Sequence, residues 1–456
     1  MKGFSILSVF VWAFSLSAAQ VINIGNGAEP KDLDPHITTG IPEMHIQENL
    51  FEALVSKDPK DGKSIPGVAE SWKLSKDGTV YTFKLRADAK WSNGEPLTAQ
   101  DFVYSWTRLL DPATAAEYAY QGYYIKNGKP FNSGELKDAS KLGVKAIDDR
   151  TLEVTLDHPT PYFVGVLYHH SLYPVNKKVV EKHGAKWTRA GNFVGNGAFV
   201  LDKWEMNKVI VLKKSPTYWD KANVKLEQAN LYPVENDSTE EKMFRAGELH
   251  VTETLPLDRI DFWQKDKSGA YQNHPYLGSY FYMFNVTKPP LDNKLVRKAL
   301  ALSIDREKIV KYVTKAGQLP GTIYTPPGTG GFKPTPRLPK DLSRLKEAKE
   351  ALAKAGYPGG KGLPPMEILY NTNEGHKKIA EAIQQMWKQN LGVDAKLFNT
   401  EWKVYLDNQS SKNFTISRRG WIADYNDPNT FLDMWVTGGG NNNTGRMRNP
   451  RFDGDE

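Results

Sequence analysis

This sequence predicts an α/β protein of more than one lobe, on three observations. Its 456 residues exceed what one hydrophobic core serves, so two or three domains are expected. After residue 366 strand and helix patterns follow one another: Met366 to Tyr370 is an apolar run, and Ile379, Ile383, Met386 and Trp387 stripe a helix stopped by Gly392. Asn413 to Arg419 then alternates in part, as a half-buried strand does.

The remaining elements follow in chain order. Residues 1 to 19 read as a secretory signal, with Lys2 as the charged end, Phe4 to Leu16 as the apolar middle and Ser17-Ala18-Ala19 as the cleavage site. Val21 to Ile24 leads into Gly25-Asn26-Gly27, which is no dinucleotide fingerprint because Pro30 stands where the third glycine belongs. Met44 to Leu54 has one apolar helical face, and Tyr81 to Arg86 alternates as a strand. Thr98 is placed to cap a helix. Trp72 and Trp91, flanked by turns, are expected as buried supports. Gly122 to Leu142 is irregular, and Val144 to Leu156 is a hairpin turning at Asp148-Asp149. A domain crossing is expected before Pro174 and another near Gly278. Tyr280 to Asn285 then reads as an unbroken apolar strand of a buried sheet. The helix from Leu345 to Ala355 is stopped by Gly356 and Pro358.

Composition excludes several functions. The net charge is +7, yet basic and acidic residues interleave, as in Lys340 to Glu347, which is a solvated helix face and not a nucleic-acid stripe. Zero cysteines remove disulfides, thiolate catalysis and thiolate metal sites. Gly62-Lys63-Ser64 lacks the leading glycine of a phosphate loop, since Lys57 occupies that place. His169 and His170 are adjacent, which does not gather two imidazoles on one metal, so neither a metal nor a cofactor is expected. No run after the signal is long and apolar enough to insert in a membrane. A periplasmic peptide hydrolase is the rival of another class, but the chain has no GxSxG and no clustered ligands.

The stretch Gly420-Trp421-Ile422-Ala423-Asp424-Tyr425-Asn426-Asp427-Pro428 puts one acid just past an apolar strand. A carboxylate there can neutralise a ligand's ammonium, while Gly420 and Ile422 offer backbone to an extended ligand. The same residues are also an ordinary turn sequence. GWIADYNDP, together with LYNTNEGHKK at 369–378, TEWKVYL at 400–406 and AESWKLSKDGTVYTFKLRADAKWSNGEPLTAQDFVYSW at 69–106, resembles the periplasmic oligopeptide-binding proteins of ABC peptide importers.

That resemblance implies a periplasmic binding protein-like fold, two lobes joined by a hinge with a further domain inserted in the first. Lobe I would be 20–41 and 169–277, domain II 42–168 and lobe III 278–456. It also implies that Asp424 receives the peptide's amino terminus, that Arg418 and His376 meet its carboxylate, and that Glu29 faces the peptide. Tyr104 would lie near the cleft, and Trp402 and Trp421 would wall its pockets, with core packing as their competing role. The implied partners are an oligopeptide and an inner-membrane ABC permease, with the receptor a monomer in a Gram-negative periplasm. Murein tripeptide, a nickel chelate or haem are alternative cargoes on the same fold. Members of the family continue past residue 456, so the expectation is a chain whose C-terminal part is missing, with a shifted reading frame from about Gly445-Arg446-Met447-Arg448.

Overall fold

The computed structural model describes residues 20–436; the predicted signal at 1–19 and the stretch at 445–448 lie outside the described residues. The chain begins with β1 (Val21–Gly25) and α1 (Ile41–Leu50). A short ladder follows, of β2 (Val55–Lys57) with β3 (Ser64–Pro66). Next come β4 (Ala69–Leu74), β5 (Val80–Leu85) and α2 (Ala99–Leu110), then the hairpin β6 (Val144–Asp148) and β7 (Thr151–Thr155). Strands β4, β5, β7 and β6 form one antiparallel sheet in that order. On β5, Tyr81, Phe83 and Leu85 are buried, and on β7 Leu152 and Val154, while their neighbours face outward, so the period of two read in the sequence is the sheet's inner face. α2 opens with the predicted cap: the Thr98 backbone N–H donates to Asp101 Oδ2 at 2.7 Å. Trp91 and Trp106 sit inside this domain's core, and Trp72 packs partly buried against it.

The chain then adds β8 (Phe199–Glu205), β9 (Val209–Lys214) and β10 (Gln228–Tyr232) to β1, in the order β1-β10-β9-β8, with β1 parallel to β10. The core of this lobe I sheet includes Ile46, Leu50, Phe51 and Ala53, whereas Leu54 and Val55 join the core of the inserted domain. α1 therefore belongs with lobe I, and the boundary expected at residue 42 falls after Ala53. The cause is the apolar face of α1, which is covered by the lobe I sheet and Trp187.

The third unit holds β11 (Gly278–Phe284), α3 (Leu345–Lys354), β12 (Met366–Asn371), α4 (Glu374–Leu391), β13 (Ala395–Thr400), α5 (Trp402–Ser410) and β14 (Ile416–Ile422), followed by a helical turn, α6 (Asn429–Leu432). Its sheet runs β11-β14-β12-β13, antiparallel only between β11 and β14. Gly356 and Gly392 end α3 and α4 with positive φ, +93° and +70°, which glycine adopts without steric cost. β11 is an edge strand and mostly half-buried, with Tyr280 exposed, so the expectation of a fully buried strand is corrected. Its tyrosines carry hydroxyls that accept partial exposure, and apolarity alone did not separate a core from a cleft wall.

Candidate functional site

β14 carries the site because its two edges are unequally used. β11 pairs with it along its whole length, from Phe284 opposite Ile416 to Gly278 opposite Ile422. β12 pairs with it only at Ile416 and Ser417. From Arg418 to Ile422 the second edge has no strand partner among the described residues, and an exposed edge is a template for another extended chain. Gly420 lies on that stretch. A Cβ built there meets nothing nearer than 3.7 Å, so the protein's own packing does not demand the glycine.

Asp424 stands two residues past the end of β14, where lobe III meets the other two units. Its side chain is 15% exposed. Gln121, from the inserted domain, donates through Nε2 to Oδ2 at 3.3 Å, and Thr430 Oγ1 lies 3.4 Å from the same oxygen. His169 Nε2 is 3.7 Å from Oδ1. Lys57 Nζ, half over the Tyr168 ring, reaches only the backbone carbonyl of Asp424, at 3.4 Å. No Lys or Arg among the described residues pairs with the carboxylate itself. Burial therefore dominates, pushing Asp424 up to about 7 against the smaller opposing pulls of Lys57, Thr430 and Gln121. Burial, with His170 and Lys57 nearby, holds His169 well below the usual imidazole range, so its ring is neutral.

At the other end of the free edge, Arg418 spreads its guanidinium 4.8 Å over the Tyr280 ring and donates through Nη1 to Asn371 Oδ1 at 3.2 Å. Its Nε is buried without a partner. His376 sits in the first turn of α4, its backbone N–H donating to the Asn373 cap at 2.9 Å, with Nδ1 3.4 Å from the Tyr280 hydroxyl. Burial and then Arg418 keep this imidazole neutral. Arg418 and His376, singled out separately in the sequence, share Tyr280 as a neighbour.

The structure places the other nominated residues differently. Glu29 accepts from Trp204 Nε1 at 2.7 Å and from the Asn207 backbone N–H at 2.9 Å, so both oxygens serve a turn within lobe I and none is left to face a ligand. Tyr104 packs against the lobe I core with Lys177 Nζ 5.8 Å from its ring centre, because α2 turns that face toward lobe I. Trp402 donates to Glu43 Oε1 at 3.1 Å and stacks on Tyr405, and a Cβ on Gly40 would lie 2.5 Å from its ring. It is thus a contact between α5 of lobe III and α1 of lobe I, and not a free pocket wall. Trp421 points to the opposite pleat from Gly420 and Ile422, into a cluster with Phe431 and Met434. Gln121, Lys57 and His169 were not read as site residues. They come from three separate stretches of chain, and nothing local marks them.

Across the seam run Lys31 to Asp407 at 2.8 Å, Ser410 to Glu117 at 2.7 Å, and Asn236 and Ser238 to Glu374 at 2.8 and 2.7 Å. The lobes are closed on one another.

Comparison with known proteins agrees with this geometry. Residues 63–443 match the model of bacterial extracellular solute-binding proteins, family 5 Middle. The periplasmic oligopeptide-binding protein OppA of Escherichia coli is 44% identical over 449 residues, covering 96% of this chain and 81% of OppA. Haemophilus influenzae OppA in complex with the peptide RPPGFSPFR superposes with a TM-score of 0.89 at 40% identity, over 96% of this chain and 86% of that one. The Escherichia coli murein tripeptide binding protein MppA gives 0.92 at 39% identity and 96% and 86% coverage, while its unliganded open form gives 0.62 at the same identity, with 96% and 85% coverage. The difference between those two scores matches the closed seam found here. The chain belongs to the family 5 bacterial extracellular solute-binding proteins.

Proposed function

We propose that the protein is a periplasmic receptor that closes its lobes on an extended oligopeptide and delivers it, as a monomer, to an inner-membrane ABC permease, without chemistry of its own. The observation that carries this reading is Asp424, a carboxylate buried at the seam with no cationic side chain paired to it among the described residues. A peptide's α-ammonium supplies the missing charge, donating to Oδ1 and Oδ2. The ligand backbone then runs along the free edge of β14 from Ile422 toward Arg418, and the bare Gly420 lets it approach closely. Arg418, with an unused buried Nε, receives the carboxylate, and His376 stands beside it.

Asp424 lies six positions after Arg418, roughly 20 Å of extended chain, so an extended ligand of about six residues spans that length and a shorter one relies on the reach of the Arg418 side chain. Backbone pairing gives affinity without reading sequence, so the ends of the ligand determine fit. The hydroxyl–imidazole contact beside the acid, Ser171 Oγ to His169 Nδ1 at 2.7 Å, is closed off, with Ser171 0% exposed, and among the described residues no group of three or more His, Asp or Glu could hold a metal.

The test is calorimetry with a free peptide and its N-acetylated form. Acetylation deletes one partner of a buried charge pair, a loss of about 3–5 kcal/mol, or two to three orders of magnitude in Kd. Equal affinities refute ammonium capture.

A further inference from the structure

Two side chains at the seam present acceptors to which nothing donates. Gln121 is 1% exposed; its Nε2 is engaged by Asp424, but its Oε1 is buried without a partner. Asp433, which opens the short 3-10 turn Asp433–Trp435 directly after α6, has both carboxylate oxygens buried and neither accepts a hydrogen bond. The pair is not an accident of two remote sites. Asp433 follows Thr430 by three residues, which places both on one face of the turn with Cβ atoms about 5–6 Å apart. Thr430 is the residue whose hydroxyl lies 3.4 Å from Asp424. Asp433 is thus near enough to Asp424 for one charge to act on the other, and Gln121, which holds Asp424, has its amide oxygen buried. Tyr120, Tyr124, Tyr324 and Tyr425 lie close enough to feel the charge of Asp433.

A carboxylate this buried is stable only when neutral or when paired with a cation. Burial first, and Asp424 second, push Asp433 up to about 8, so without a partner it holds its proton. No Lys or Arg among the described residues forms an ion pair with it. Asp424 and Asp433 together can accept from two positive charges, and the four-carbon stem of a lysine sets its ammonium several ångströms from the α-amine.

We infer that Asp433 is a second anionic subsite that takes the cationic side chain of the ligand's first residue, so that the receptor favours peptides beginning with lysine or arginine. The inference rests on the reading of Asp424 as the amine site. Gln121 Oε1 accepts one of the N–H groups that the two carboxylates leave over.

The experiment is calorimetry on the full chain with three peptides identical after the first residue, which is lysine, norleucine or N-acetyl-lysine. Norleucine keeps the methylenes and removes only the charge. The wild type should bind the lysine peptide at least tenfold more tightly than the norleucine peptide, and Asp433→Asn should bring that ratio near one while the penalty for N-acetylation persists. Asp433→Thr serves as a second variant, and thermal melts check that both fold. A lysine-to-norleucine ratio near one in the wild type, or a ratio unchanged in both variants, overturns the inference. Equal binding of acetylated and free peptides instead overturns the reading of Asp424 on which it rests.

Discussion

Peptide affinity should fall steeply as pH drops below about 7. With the lobes closed and no peptide bound, burial outweighs the attraction of Lys57 and the hydrogen bonds of Thr430 and Gln121 and pushes Asp424 up to about 7. Bound to an α-ammonium the same carboxylate is ionised, so its pKa in the complex lies far lower. Binding therefore expels a proton at acid pH. The sign follows: the bound state favours the ionised acid, so affinity is fully present above about 7 and is lost as pH falls through that value. Well below it each pH unit costs about tenfold, or about 1.36 kcal/mol, and because the acid is already half protonated at pH 7 the loss from there to pH 5 is roughly 50-fold. Above about 8 the ligand's own amine deprotonates and affinity declines again. The neighbours do not mask this. Burial holds His169 well below the usual imidazole range, and Asp433, held up to about 8, is mostly protonated along the acid limb. Calorimetry with an alanine-initiated peptide at half-unit intervals from pH 5 to pH 8.5 measures the profile, and Asp424→Asn should flatten its acid limb. A wild-type affinity constant from pH 7 to pH 5 would refute the argument that an unpaired buried acid drives capture.

Two further outcomes are expected. Arg418→Met keeps much of the volume over Tyr280 but removes the donors, and should weaken a tripeptide by about 1.5–3 kcal/mol while its C-terminal amide loses far less, as competition binding would show. Glu29→Gln should leave peptide affinity within about twofold and lower stability by about 1 kcal/mol in urea, since that carboxylate only accepts from Trp204 and Asn207.

The strands and helices were largely legible. Alternation found β7, the glycines found the ends of α3 and α4, and Thr98 found the start of α2, because each of these is decided within a few residues. The position of Asp424 past a strand end was legible as well. What was missed has a common cause. Glu29 and Trp402 look like free polar and aromatic groups until their partners, Trp204 from a distant strand and Glu43 from another lobe, are brought to them.

Local patterning alone determined that this chain is an α/β protein with one acid set beyond a strand, since period and capping depend only on near neighbours. Only the tertiary structure decided that the acid is buried without a cationic partner among the described residues. Its raised pKa comes from burial, against the opposing hydrogen bonds of Gln121 and Thr430, and its neighbours Gln121 and His169 lie about 300 and 250 residues away in the chain. Burial is a property of the closed lobes, and a charge's cost depends on what surrounds it in space, not in sequence.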